Sequence, residues 1–77
     1  MTQTVQLALK SADQILVSAG VDGALRDSRI LMAFVLGFEP HKVSFSFDFV
    51  LNASQEAAFT ICIARRALRE PISHIVG

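Results

Sequence analysis

The sequence predicts an all-α fold, a small compact bundle of four to five short helices. Three observations carry that expectation. Apolar residues recur at three- and four-residue spacing in separate segments. Glycines and prolines fall between those segments rather than inside them. The chain has 77 residues, 52% hydrophobic and 18% charged, which suits one small domain with a core rather than a disordered tail.

The first helix is expected over residues 4 to 19. Val5, Ala8, Leu9, Ala12, Leu16 and Ala19 form one apolar stripe. Thr2 or Thr4 can cap its start, and Gly20 can end it in the left-handed conformation. The second helix is expected near residues 23 to 36, with Asp22 as N-cap and Gly37 as its stop. Its second half, "ILMAFVL", is apolar all round and reads as the central helix.

Residues 39 to 51, "EPHKVSFSFDFVL", carry two signals. Phe45, Phe47 and Phe49 alternate with polar residues, a strand period, but no second strand-like run exists to pair with it. Pro40 suits a first helical position, so a short helix over about 40 to 46 followed by a loop is preferred. The phenylalanines are then large plugs for the core.

Asn52 and Gln55 have the form of a capping pair opening a helix over about 53 to 68. Ala57, Ile61, Ala64 and Leu68 form the expected core stripe. Phe59 and Ile63 lie on a different face beside Arg66, as either an intradomain contact or a binding surface. Pro71 starts a short fifth helix or turn, with Ile72, Ile75 and Val76 seeking cover.

Composition excludes several function classes. Seven basic and seven acidic residues give zero formal charge, unlike the basic excess of nucleic-acid binders. No apolar run approaches the roughly 20 residues of a membrane span. The N-terminus lacks a basic signal-peptide region, and Thr2 excludes myristoylation. A cytoplasmic domain is expected. A single cysteine permits no internal disulfide.

No constellation for catalysis stands out. His41 and His74 are far apart and lack further ligands at metal spacing, so no metal is expected. His74 reads as a partly buried packing residue bonded to backbone. Cys62 sits between Ile61 and Ile63 and reads as inert. Gly20 and Gly23 are helix punctuation rather than a phosphate loop. Arg65, Arg66 and Arg69 cluster where cations stabilise a helix C-terminus, or form a basic patch for an acidic partner. Glu70 can bond back to one of them.

The closing segment "ARRALREPISHIVG" resembles the end of the N-terminal helical domain of the HemK/PrmC-type methyltransferases, which methylate the glutamine of peptide chain release factors. The matching residues are Arg65, Arg66, Glu70, Pro71, Ile72, His74 and Gly77. "DSRILMAFVLG" is similar to a second family helix, through Asp27, Arg29, Leu31 and Gly37. "SAGVDGAL" is similar to the family's first interhelical connection. One departure is Arg69, where the family usually has glycine before Glu-Pro.

The resemblance implies that residues 1 to 77 are a single helical domain of a two-domain methyltransferase, with 70 to 77 starting the connection to a catalytic domain. The parent would be an enzyme using S-adenosylmethionine held in that other domain. This stretch alone would be inactive and carry no catalytic, cofactor or metal residue. Its role would be to position release factors, with Phe59, Ile63, Arg65, Arg66 and Arg69 as candidate contacts. Partners would be release factors and the enzyme's own catalytic domain, with no nucleic acid and no membrane. Asp27, Arg29, Glu70, Pro71, His74 and Gly77 would be structural family markers. The competing expectation is a stand-alone helical interaction or helix-turn-helix-like module.

Overall fold

The apolar stripe of the first segment winds into helix α1, Val5–Ser18, and buries Val5, Ala8, Leu9, Ala12 and Leu16. The computed structural model describes residues 3 to 77, so the capping role weighed for Thr2 lies outside it. Thr4 is the N-cap, and its hydroxyl accepts from the Leu7 amide at 3.3 Å. The chain then turns back at Gly20, whose φ of +76° lies in the left-handed region. The Val21 amide reaches the Leu16 carbonyl at 2.9 Å, and Val21 is buried beside the helix it has left.

Helix α2 spans Ala24–Leu36. Its N-cap is Gly23 with φ +70°, not Asp22, which is exposed. The preceding turn already fixes the entry of the chain, and Gly23 supplies the positive φ that the entry requires. Leu31, Met32 and Ala33 are buried, but Phe34 is half exposed, so the all-apolar half is covered on one side rather than all round. Gly37 at φ +71° ends α2, and the Phe38 amide donates to the Ala33 carbonyl at 2.9 Å.

Helix α3, Pro40–Val43, is shorter than expected and anchored by buried Val43. The aromatic segment after it differs from expectation in two ways. It does find a strand partner: β1, Gln3–Thr4, pairs antiparallel with β2, Val50–Leu51, in the register Gln3↔Leu51 and Thr4↔Val50. This two-residue ladder needs only backbone groups, so no alternating pattern in residues 3 and 4 announced it. The segment also completes the start of α1, because the Gln6 and Val5 amides donate to the Phe47 and Phe49 carbonyls at 3.1 and 2.9 Å. The phenylalanines themselves are not all plugs. Phe47 packs against the core, whereas Phe49 is partly exposed and Phe45 is 84% exposed.

Helix α4, Ala53–Ala67, opens with the full capping box: Asn52 Oδ1 accepts from the Gln55 amide at 2.8 Å, and Gln55 Oε1 accepts from the Asn52 amide at 2.9 Å. Its core face is the correction of most consequence. Phe59, Cys62 and Ile63 are buried, while Ile61 is 60% and Leu68 82% exposed, with Ala57 and Ala64 also on the surface. The helix carries two apolar stripes, and the bulkier of them fills the core.

Helix α5, Ile72–Val76, opens after Pro71, its N-cap, whereas α4 has already ended at Ala67. Ile75 is buried, and Ile72 and Val76 pack against the core. All five helices thus close on one interior, in which Leu16, Leu31, Met32, Leu51, Val5 and Val43 are fully covered.

Candidate functional site

The C-terminal end of α4 is a junction built from charged side chains. Asp27 is buried on α2, and its Oδ2 accepts from Arg66 Nε at 3.0 Å. Arg66 Nη1 also donates to the Glu70 carbonyl at 3.1 Å. Arg65 Nε donates to the Glu70 carboxylate, and Arg65 Nη2 reaches the His74 carbonyl at 3.4 Å. One network therefore ties α2, the end of α4 and the start of α5.

Arg69 completes the junction from the other side. Its φ is +71°, and the Glu70 amide donates to the Arg65 carbonyl at 3.2 Å. This is a helix end in which the left-handed position, usually a glycine, is an arginine. Its guanidinium Nη2 donates to the Ala19 carbonyl at 3.0 Å. That carbonyl sits at the C-terminus of α1, where cations are favoured. The side chain fits because Gly20 is there: a Cβ on residue 20 would lie 2.9 Å from Arg69 Nη2.

These contacts place the sequence-predicted residues. Asp27, Arg65, Arg66, Glu70 and the backbone of His74 come together. Arg29 does not join them and lies over the Phe47 ring, 5.9 Å from its centroid. The His74 ring is exposed rather than partly buried, and His41 is also exposed, 3.5 Å from Glu39. Phe59 and Ile63 are in the core face, so neither is a free surface residue.

The electrostatics follow the contacts. The hydrogen bond to Glu70 raises the Arg65 pKa further above its ordinary value, so its charge is permanent. Burial pushes the Cys62 thiol up, against a smaller opposing effect of Arg65, so the thiol stays protonated and unreactive at neutral pH. Among the described residues, no group of three His, Cys, Asp or Glu side chains could hold a metal ion, and no helix is long and apolar enough to cross a membrane.

A groove of about 210 Å³ lies between α1 and α4. Phe59 and Ile63 form its floor, and Ile15, Ser11, Thr60 and Ala64 line it. Sequence reasoning missed Ile15. A signal was available, because Ile15 is apolar yet lies off the α1 core stripe and is 49% exposed.

Fold and surface together define a small all-α domain with a frame of ion pairs at one end and an open apolar groove along α1 and α4. The chain belongs to the PrmC N-terminal domain family, whose pattern matches residues 8–77. It is 36% identical over 70 residues to the release factor glutamine methyltransferase of Cereibacter sphaeroides, covering 91% of this chain and 25% of that protein. It is 42% identical over 59 residues to the protein of the same name from Rhodospirillum rubrum, covering 77% and 18%. With the protein of that name from Corynebacterium glutamicum it shares 38% over 76 residues, covering 96% and 25%. The chain thus spans a quarter or less of these relatives' length. No solved structure matches it.

Proposed function

We propose that this chain is the substrate-recognition domain of a protein-(glutamine-N5) methyltransferase that acts on peptide chain release factors in the cytoplasm. The observation that supports it is the family match over residues 8–77, together with relatives named release factor glutamine methyltransferases. Under this proposal S-adenosylmethionine binds in a separate catalytic domain of the parent enzyme. These 77 residues hold the release factor so that its glutamine reaches that domain.

The α1–α4 groove is the proposed contact surface. Phe59 and Ile63 act from its floor by fixing the shape, and Ile15, Thr60 and Ala64 meet the partner. Arg65, in the last turn of α4, and Arg69, just beyond that helix, do not line the groove; they act as flanking contacts, already oriented by Glu70 and the Ala19 carbonyl. Arg66 is a positioning residue, since its guanidinium is committed to Asp27 and Glu70.

Calorimetry with S-adenosylmethionine tests the division of labour. The 77-residue chain should show no binding, and a protein carrying its native downstream sequence should bind the cofactor and methylate a release factor. A downstream sequence without a methyltransferase domain would refute the proposal.

A further inference from the structure

Arg29 is the arginine that the ion-pair frame does not use. Arg65, Arg66 and Arg69 each donate to a protein oxygen, and Arg26 lies 3.6 Å from Asp27. Among the described residues Arg29 forms no ion pair, and its Nε is enclosed with no hydrogen-bond partner. An enclosed donor without an acceptor is destabilising and marks a group that a structure has not spent on itself. Its guanidinium lies over the Phe47 ring, 5.9 Å from the centroid. On the α1 side, Asp13 and Lys10 line a neighbouring hollow with it; Asp13 Oδ1 is likewise unpartnered, and Asp13 and Arg29 form no ion pair.

Arg29 also lines a cleft of about 390 Å³ between α2 and α3. Arg26, His41 and Ser44 line the same cleft, with Arg26 also 3.6 Å from Asp27 and His41 3.5 Å from Glu39. Its remaining walls, from Leu25, Ile30 and Pro40, are apolar.

We propose that this cleft docks a carboxylate-bearing peptide segment of a protein partner, with Arg29 as the anchoring cation and Arg26 and His41 beside it. A guanidinium is a planar fork of donors that matches a carboxylate. The apolar walls suit a hydrophobic side chain next to that acid. A polyanion such as nucleic acid would need a broad positive field, and the chain has a formal net charge of zero. The inference stands whether or not the partner is a release factor.

The test is a titration of the 77-residue chain followed by amide chemical shifts. The probes are a short peptide alternating Glu and Leu, its Gln counterpart, and inorganic phosphate. The acidic peptide should perturb residues 25–30 and 40–44. The Gln peptide and phosphate should each bind at least about tenfold more weakly, the scale of one lost charge-assisted contact. Arg29→Gln should weaken the acidic peptide by about tenfold. The exposed Arg26→Gln and His41→Gln should each weaken it by about threefold, which keeps the test decisive if Arg29→Gln disturbs the fold. Equal binding of the acidic and Gln peptides, phosphate binding as tight as the peptide, no perturbation at millimolar peptide, or unchanged affinity in both exposed variants would each overturn the proposal.

Discussion

Arg69 concentrates two opposing effects in one residue. Its positive φ costs about 1 kcal/mol for a side chain with a Cβ, and its guanidinium offsets that by closing the end of α1 at Ala19. Comparing two variants separates them. Arg69→Ala and Arg69→Gly both lose the guanidinium, but only alanine keeps the strain. Urea denaturation should find the glycine variant more stable by about 1 kcal/mol; equal stabilities would contradict the strained turn. The sequence raised the question of how Arg69 makes this turn. It could not supply the answer, because the acceptor at Ala19 lies fifty residues away.

Asp27 and Arg66 are the second residue-scale case. Arg66→Ala leaves a carboxylate that is 2% exposed with only Arg26 nearby, at 3.6 Å. Such a loss is expected to cost about 3 kcal/mol, read from the shift in urea midpoint. In a double-mutant cycle, Asp27→Ala should remove most of that cost. An additive cycle would show that the pair is not coupled.

Among the elements, α4 shows what periodicity settles and what it leaves open. The capping pair Asn52 and Gln55 was legible because it is local, and it forms as expected. The choice of face was not legible. Ala57, Ile61, Ala64 and Leu68 and the set around Phe59 and Ile63 both recur at helical spacing, and only tertiary packing decides between them. The buried set holds Phe59 and encloses Arg66 against Asp27, so it gains both area and an ion pair. Phe59→Ala should therefore cost about 3 kcal/mol or more, while Leu68→Ala should stay within about 0.5 kcal/mol. Comparable losses at the two positions would reverse the assignment of faces. The short β1–β2 ladder and the fate of the phenylalanines were illegible for a related reason, since both depend on where the N-terminus runs.

For the molecule as a whole, alkaline stability reports on how closed the core is. The Cys62 thiol is raised above its ordinary value of about 8.5–9 by burial. The unfolded chain releases this proton first as pH rises, so the folded state is favoured fully below that range. The contribution is then lost progressively as pH climbs through the higher folded value. Cys62→Ala should remove this part of the alkaline loss, measured as the change in unfolding midpoint between pH 7 and 10. An unchanged loss would place the thiol in contact with solvent. The helical class of the fold was legible, because apolar stripes and stop residues mark each segment, although the cap of α2 and the core face of α4 were not. The candidate site was legible only in part: its charged residues stood out, but their mutual engagement and the groove at Ile15 arise from contacts between α1, α2 and α4.

The central proposal is that this domain positions a protein substrate within a methyltransferase without taking part in methyl transfer. The direct measurement is steady-state methylation by the whole enzyme carrying Ile15→Glu, on a release factor and on a short glutamine peptide. Ile15 is half exposed in the groove, so the fold should tolerate the change. The account predicts a KM for the release factor raised by about tenfold, the scale of one lost apolar contact, with kcat and the peptide's KM unchanged. An unchanged KM for the release factor, or an equal loss on both substrates, would contradict it.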